Sequence, residues 1–296
     1  MKRAEGTRNL SELSEAEKDK IVEKYFECDM RIVDMAKFFK VTVRTVPALL
    51  KERGINTARK NRYTLNEHYF DKVDTERKAY WLGYLFADGF VGDENFNNIV
   101  FSQKQSDGYI VKEFAKDIEF TGKTRLSKRT GGFENGEKSV ILNFSSRTMT
   151  KALGKLKMYT CKSMTMEELP PIKSDLMRHF VRGYFDGDGS VSMCFKYVNR
   201  KGRTIYSRHC DMIGTQPFLE KIARLVPAES FLSDSRTPEM KYLNFNKISS
   251  MIPLYHYMYD GATVYLKRKF NVWNDIMGDL TQKENGINSD EEVSAA

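Results

Sequence analysis

Two stretches of the sequence, one hundred residues apart, share one pattern. "WLGYLFADGF" occupies residues 81–90, and "VRGYFDGDGS" occupies residues 181–190. Each is predicted to be the end of a largely apolar helix, and each closes on an acid followed by a glycine, Asp88-Gly89 and Asp188-Gly189. A helix carries a partial negative charge at its C-terminal end, so an acidic side chain is disfavoured there. A disfavoured residue that occurs twice predicts a function shared by both acids.

The repetition extends well beyond these two stretches. Five residues in and just after the first stretch recur at the same spacing in the second: Gly83, Tyr84, Asp88, Gly89 and Val91 return as Gly183, Tyr184, Asp188, Gly189 and Val191. A second echo follows, because "LNFSSR" (residues 142–147) returns as "LNFNK" (residues 243–247) at nearly the same offset. Both halves alternate a helix, two strands, a helix, two strands and a helix. The sequence therefore predicts an α+β pseudo-dimer of tandem αββαββα repeats, at residues 79–170 and 171–280.

Small residues four positions apart mark one face of each repeated helix. They are Gly83 and Ala87 in the first repeat, and Gly183 and Gly187 in the second. Glycine inside a helix costs roughly 0.5–1 kcal/mol relative to alanine, so a packing benefit is expected. We expect the two helices to pair through these faces.

Pairing of the two helices would bring Asp88 and Asp188 together. Two carboxylates at two negative helix ends repel each other unless a cation joins them. Carboxylates and water are the ligands that Mg²⁺ prefers. The sequence therefore predicts a metal site, and the alternative is that each acid forms a hydrogen bond within its own turn.

The two motifs resemble those of LAGLIDADG homing endonucleases of the single-chain, double-motif type. The likeness covers about residues 80–277. It implies that the paired helices form the interface, that each repeat presents a saddle-like antiparallel sheet to double-stranded DNA, and that Asp88 and Asp188 bind the metal with Ala87 and Gly187. The metal would be Mg²⁺, for which Mn²⁺ can substitute. One departure is Phe86, which stands where the second motif has Asp186; the family does not use that position as its principal ligand.

The resemblance also implies the reaction, which is hydrolysis of one phosphodiester on each strand across the minor groove, leaving 3′ overhangs. Gln103 and Lys104 resemble the polar pair that positions water and phosphate in relatives, whereas the second half has "GTQ" at residues 214–216. Arg147 and Lys247, after the fourth strand of each half, are the basic groups expected beside the two acids. For each of these basic residues the alternative is an ordinary solvated side chain.

Polar side chains that alternate along strands predict contacts with base edges in the major groove. In the first half these are Lys123 and Arg125; in the second they are Tyr206 and Arg208, next to a basic turn that contains Arg203. The alternative is a solvated sheet face. "YLKRKF", residues 265–270, fits either a phosphate contact or a charged helix face.

The N-terminal residues 1–53 predict three helices that resemble a DNA-binding helix-turn-helix. Thr42, Arg44 and Thr45 would begin its recognition helix, and the alternative is a plain three-helix packing unit. Residues 54–78 predict a basic linker in which Arg59, Lys60 and Arg62 follow phosphates; the alternative is a solvated linker. Residues 281–296 predict a disordered acidic tail.

Bulk composition fits a nucleic-acid partner. The net charge is +8, which favours a polyanion. The four cysteines, Cys28, Cys161, Cys194 and Cys210, are too far apart for a C-x-x-C pair, which predicts a reducing compartment and no structural zinc. No apolar stretch reaches the length of a membrane span, so we expect the protein in the cytoplasm of a bacterial or phage-infected cell. Because both motifs lie in one chain, we also expect a monomer. Competing hypotheses are a non-cleaving DNA-binding regulator and an intron RNA maturase on the same scaffold; RNA binding is the less expected.

Overall fold

A computed structural model describes residues 6–27, 32–55, 63–92, 97–128, 138–159, 165–198 and 204–293. The chain divides into two compact units, Met1–Thr64 and Leu65–Ala296. The second unit starts within the predicted linker: Asn66 N donates to Ile118 O at 2.8 Å, and the Phe70 ring lies 6.4 Å from that of Phe114. Residues from Leu65 onward therefore belong with the first repeat, because apolar side chains in this segment pack on it.

The N-terminal unit contains three helices where the sequence predicts them: α1 (Glu15–Glu27), α2 (Ile32–Phe38) and α3 (Thr45–Glu52). Ser14 and Glu17 form a capping box before α1, in which Ser14 N donates to Glu17 Oε2 at 3.0 Å and Glu17 N donates to Ser14 Oγ at 3.4 Å. The helices share a core of their own, which includes Ile21, Met35 and Leu49.

The second unit confirms the predicted α+β order in both halves. The first half contains α4 (Glu76–Asp88), β1 (Gly89–Val91), β2 (Asn98–Lys104), α5 (Gly108–Asp117), β3 (Arg125–Lys128), β4 (Lys138–Ser145) and α6 (Arg147–Lys155). The second contains α7 (Ser174–Asp188), β5 (Gly189–Val198), β6 (Thr204–Gly214), α8 (Gln216–Leu225), β7 (Phe231–Asp234), β8 (Lys241–Asn244), α9 (Ile248–Tyr259) and α10 (Lys267–Val293).

Each half builds one antiparallel four-stranded sheet, with strand order β1-β2-β4-β3 in the first and β5-β6-β8-β7 in the second. The registers correspond. Gly89 pairs with Phe101, which pairs with Leu142; Gly189 pairs with Met212, which pairs with Leu243. Counting two residues along β2 and β6 from these pairs makes Gly214 the counterpart of Gln103.

One face of each sheet is buried under helices. Phe101 and Leu142 in the first sheet, and Met212 and Leu243 in the second, are at most 1% exposed. Because side chains alternate along a strand, the intervening residues form the opposite face, here named the open face. The open face carries Ser102, Lys104, Arg125, Ser127 and Asn143 in the first sheet, and Ser190, Ser192, Ser207, His209 and Asp211 in the second.

Helix α10 continues through Val293, whereas the sequence predicted a disordered tail from residue 281. Its N-terminal part is anchored in the core by Trp273 and Ile276, both 0% exposed. Once a helix is nucleated, each further residue adds a hydrogen bond at small cost, so a polar extension can follow a packed start. No helix in the described ranges, α10 included, combines the length and apolar run that a membrane crossing requires.

Candidate active site

The helices α4 and α7 touch backbone to backbone. A Cβ atom placed on Gly83 would lie 2.0 Å from Phe180 O, and one on Gly183 would lie 2.0 Å from Tyr80 O. Further along, a Cβ on Gly187 would lie 2.2 Å from the Cβ of Ala87. The contact therefore contains all four of the small residues predicted for it, Gly83, Ala87, Gly183 and Gly187. A larger side chain at Gly83 or Gly183 would hold the two helices apart.

The contact brings the two helix-terminal acids to one place. Asp88 ends α4 and Asp188 ends α7. A Cβ on Gly187, the residue before Asp188, would lie 3.4 Å from Asp88 Oδ2. The pKa of the Tyr184 phenol is raised well above its usual range by burial and then by the charges of Asp188 and Asp88. Both carboxylates thus act on one hydroxyl group.

A glutamine contacts the first of the two acids. Gln103 Nε2 donates to Asp88 Oδ2 at 2.5 Å, and Lys104 follows it at the end of β2. In the second half Gly214 takes this place, where a Cβ would lie 2.7 Å from the Tyr184 hydroxyl. Gln216 is turned to Glu220 instead, at 2.8 Å. The two halves of the site are therefore lined differently.

Lys269 is a member of the site that the sequence analysis missed. This lysine is 4% exposed, and its Nζ donates to the carbonyls of Phe185 at 2.7 Å, Asp186 at 2.8 Å and Gly187 at 3.3 Å, and to that of Gly189. Its ammonium thus sits at the negative end of α7, where a cation is favoured. Burial lowers its pKa to about 8, and the carboxylates of Asp186, Asp88 and Asp188 oppose that shift.

A signal for Lys269 was present in the sequence. Leu266, Phe270 and Trp273 have the spacing of one helix face, and Lys269 lies three residues after Leu266 on that same face. A lysine within an apolar stripe predicts a buried cation with fixed partners. A phosphate contact and a charged helix face, the two alternatives for residues 265–270, both require exposed side chains, whereas Lys269 is buried.

The position two residues before each terminal acid differs between the two motifs. Phe86 packs its ring against Phe180 at 5.1 Å and Phe218 at 6.3 Å. Asp186 is 1% exposed and accepts hydrogen bonds from Tyr80, Tyr259 and Leu266. Neither residue is placed to join Asp88 and Asp188 as a ligand, since both are enclosed in the protein core.

Arg147 and Lys247 are not beside the acids. Arg147 follows Ser145, which pairs with Asn98 at the start of β2, whereas Gln103 contacts Asp88 near the other end of that strand. Five residues of strand separate the two ends by roughly 16 Å. Lys247 follows β8 in the same way and is paired with Glu229 at 3.3 Å. The sequence repeat at residues 142–147 and 243–247 corresponds to the ends of β4 and β8. Both strands run away from the two acids, so Arg147 and Lys247 lie far from the site.

The face of β6 that was expected to contact DNA is the helix-facing one. Arg208 lies in the same row as Cys210 and Met212, both 0% exposed, and its guanidinium pairs with Asp279 of α10. Tyr206 belongs to that row by strand period, and its side chain lies outside the described part of the structure. On the first sheet, by contrast, Arg125 is exposed on the open face and Lys123 is exposed just before β3.

The predicted contacts of the N-terminal unit divide into three groups. Arg44 is exposed and Thr42 is half-buried. Thr45 is 3% exposed and donates its hydroxyl to Arg8 O at 3.3 Å, so it is a core residue and cannot reach DNA. Arg59, Lys60 and Arg62 lie outside the described residues, and so does Arg203, which stands between β5 and β6 of the second unit.

The oxygen atoms at the site suit a hard divalent cation. Asp88 and Asp188 would supply carboxylates, and Ala87 and Gly187 would supply main-chain carbonyls; that of Gly187 accepts a hydrogen bond from Lys269. Within the described ranges no three His, Cys, Asp or Glu side chains cluster in a metal-binding arrangement. Two carboxylates fit Mg²⁺ or Mn²⁺, because such ions keep several of their waters when bound to proteins.

Comparisons with known proteins give a distant likeness. No protein-family profile matches the chain. An uncharacterized protein of Methanocaldococcus jannaschii is 26% identical over 135 residues, which is 45% of this chain and 46% of that protein. The chain thus spans about half the length of the curated relative that it matches.

Solved structures with a similar arrangement of elements are DNA-bound meganucleases. I-SmaMI bound to uncleaveable DNA is 12% identical, with 72% of this chain and 91% of that chain covered, at a TM-score of 0.47. The LAGLIDADG homing endonuclease I-LtrWI bound to target DNA is 11% identical, with coverage of 77% and 97%, at 0.47. The LAGLIDADG meganuclease I-AabMI bound to uncleaved DNA is 8% identical, with coverage of 72% and 92%, also at 0.47. Similarity to solved structures at this level of identity and TM-score does not indicate a function for this chain. The function has to be argued from the residues of the site.

Proposed function

We propose that the chain is a site-specific double-strand DNA endonuclease of the homing type. The observation that carries this proposal is that Asp88 and Asp188 end two helices in backbone contact, where a Cβ on Gly187, the neighbour of Asp188, would lie 3.4 Å from Asp88 Oδ2. Duplex DNA presents two strands of opposite direction related by a twofold axis. Two acids from repeats in matching register offer one group to each strand, so a single chain acting as a monomer can cut both.

The residues of the site have distinct roles in this proposal. Asp88 and Asp188 would hold the divalent ion, with Ala87 and Gly187 beside them. The ion, when bound, supplies an activated water and stabilises charge on the attacking and leaving oxygens. Gln103 would orient the Asp88 carboxylate through its hydrogen bond, and Lys104, the next residue and the last of β2, would add a positive charge. Lys269 adds a buried cation at the end of α7, which favours the approach of a phosphate.

Recognition of DNA would use the open faces and the N-terminal unit. Arg125 is exposed on the open face of the first sheet, Lys123 is exposed just before β3, and the chain carries a net charge of +8. Charges of this kind give affinity for phosphates that falls as salt rises. The N-terminal helices, with Arg44 exposed, would extend the contact as a helix-turn-helix.

The central experiment is cleavage of a library of randomised duplexes in Mg²⁺, followed by sequencing of the cut ends. We expect one preferred site cut on both strands, with 3′ overhangs, and no cutting when EDTA is present. Asp88→Asn and Asp188→Asn should each bind that site with unchanged affinity and make no double-strand break, because the metal loses a carboxylate ligand. Asp175→Asn, in the first turn of the same helix as Asp188, is the matched control and should cut normally.

Other outcomes have definite meanings. Normal double-strand cleavage by Asp88→Asn or Asp188→Asn removes the assignment of the site. Specific binding without cleavage by the native chain favours a DNA-binding regulator, and preference for intron RNA over its DNA favours a maturase.

A further inference from the structure

A buried carboxylate outside the proposed metal site joins three elements of the second unit. Asp186 Oδ2 accepts from the Tyr80 hydroxyl at 2.8 Å and from Leu266 N at 2.7 Å, and its Oδ1 accepts from the Tyr259 hydroxyl at 3.1 Å. These donors belong to α4, to the segment before α10, and to α9. An enclosed carboxylate is costly unless such bonds satisfy it, so the arrangement holds all three elements to the end of α7.

The bond to Leu266 fixes the start of α10. Lys269 N and Phe270 N both donate to Leu266 O at 3.0 Å, so Lys269 follows Leu266 by one helical turn. From that position its Nζ reaches the carbonyls of Phe185, Asp186 and Gly187. Displacement of Leu266 would therefore move Lys269 away from the residues that precede Asp188.

The first repeat has no counterpart of this arrangement among its described residues. Phe86 takes the place of Asp186 and makes ring contacts with Phe180 and Phe218.

We propose that Asp186 is a positioning residue for the candidate active site. It holds Leu266, sets the first turn of α10, and so keeps the Lys269 ammonium over the carbonyls that end α7. Its importance for cleavage rests on the proposed nuclease function, whereas its effect on the place of Lys269 does not.

The place of Lys269 can be measured without any cleavage. The native chain is treated briefly with an amine-acetylating reagent, and the modification of each lysine is followed by peptide mass spectrometry. Lys269 should react at least about 10-fold more slowly than Lys123 and Lys247, which are exposed. In Asp186→Leu its rate should approach theirs, whereas in Phe86→Leu, the matched change in the first motif, it should stay slow.

Stability is separated from positioning by milder variants. Labelling is done well below the unfolding temperature of each variant. If Asp186→Leu does not fold, Asp186→Asn and Tyr259→Phe replace it. Each of these variants keeps the shape of the substituted side chain and weakens part of the hydrogen bonding around Asp186. Lys269 should then react about 3-fold faster than in the native chain. Unchanged protection of Lys269 in the folded variants, or fast reaction in the native chain, overturns the proposal.

The consequence for cleavage is tested by a double-mutant cycle at saturating protein under single-turnover conditions. Asp186→Leu and Lys269→Met should each slow cleavage at least about 10-fold, and the double variant should be no slower than Lys269→Met alone. If the double variant instead slows cleavage by the product of the two single effects, Asp186 does not act through Lys269, and the proposal is overturned. If labelling responds as expected while the native chain cuts no DNA, the nuclease function fails and the positioning role stands.

Discussion

Gly183 shows how one missing side chain determines the contact between α4 and α7. A methyl group on it would lie 2.0 Å from Tyr80 O, which is main chain and cannot turn aside. Forced overpacking of this kind typically costs 1–3 kcal/mol, and a backbone obstacle places the change at the upper end. We expect Gly183→Ala to lower the free energy of unfolding by about 3 kcal/mol in urea titrations.

Gly154 provides the control for that substitution. It also lies within a helix, α6, and a Cβ there would meet no atom within 4 Å. Gly154→Ala should stabilise the protein by roughly 0.5–1 kcal/mol, the usual difference between these residues in helices. Equal effects of the two substitutions would contradict the steric explanation of the glycine pair.

His179 gives stability a dependence on pH. Its pKa is lowered from 6.5 to about 4 by burial and by Arg182, while Glu76 and Asp175 act in the opposite direction and Arg178 adds to the lowering. The unfolded chain therefore takes up a proton on this residue before the folded chain does. The stability that depends on a neutral His179 is fully present above about pH 6.5 and is lost as the pH falls toward 4.

The matching experiment compares the native chain with His179→Asn in urea titrations at pH 7 and pH 5. Because His179 is only half-buried, solvent reduces the effect, and we expect the native chain to lose on the order of 1 kcal/mol more than the variant. Parallel losses in both proteins would show that the imidazole is freely protonated in the folded state.

The junction between α4, α7 and the segment before α10 depends on one ion pair. Glu76 accepts from Arg182 Nη2 at 2.7 Å, from Thr263 N at 2.7 Å and from the Thr263 hydroxyl at 2.9 Å. Arg182 is 0% exposed, so removal of Glu76 leaves a buried charge without its partner. Glu76→Ala should reduce stability by about 3 kcal/mol in thermal or urea unfolding.

The exposed pair of Glu229 and Lys247 is the control for Glu76. Its two side chains are 80% and 73% exposed. Glu229→Ala should change stability by less than about 0.5 kcal/mol, as is usual for surface ion pairs. A large loss at Glu229, or none at Glu76, would contradict the distinction between the buried and the exposed pair.

The pairing of α4 with α7 was predictable from the sequence because it depends on the size of the residues in the contact. Which face of each strand is open was not predictable. Gly83 and Gly183 identify themselves by their spacing before two acids. On β6 both rows of side chains contain polar residues, Arg208 in one and His209 with Asp211 in the other, so polarity alone does not choose the open face. The choice depends on Cys210 and Met212, whose burial places Arg208 among the helices.

Contacts that join distant segments were the least predictable. The apolar stripe around Lys269 indicates that this lysine is buried, but the sequence does not show its partners or those of Asp186, because they come from α4, α7, α9 and the segment that begins α10. Arg147 and Lys247 show the converse, since a sequence echo placed them near the acids and the antiparallel register places them at the other end of each sheet. Only the assembled fold decides such distances.

Across the whole molecule, the repeated scaffold is symmetric while its lining is not. The two sheets share strand order and register. Gln103 contacts Asp88 in the first half, and Asp186 with Lys269 occupies the second. A duplication explains the matching registers, and the different linings imply that the two strands of a DNA duplex would meet unequal surroundings. Strand-labelled duplexes would therefore be cut at two different rates under single-turnover conditions.

The N-terminal unit provides the last test, because it has its own hydrophobic core and its own contacts. Deletion of residues 1–64 leaves Leu65–Ala296, which contains both helices and both sheets. If the N-terminal helices add a second DNA contact, their loss should weaken binding by roughly 10-fold or more and reduce its salt dependence. The single-turnover cleavage rate at saturating protein should stay within about twofold of the native rate, since Asp88, Asp188 and Lys269 all remain. Fluorescence anisotropy at several salt concentrations measures the first effect, and quenched cleavage the second. A collapse of the saturated rate, in a truncated protein whose unfolding transition is intact, would show that the N-terminal unit takes part in the chemistry and is no accessory.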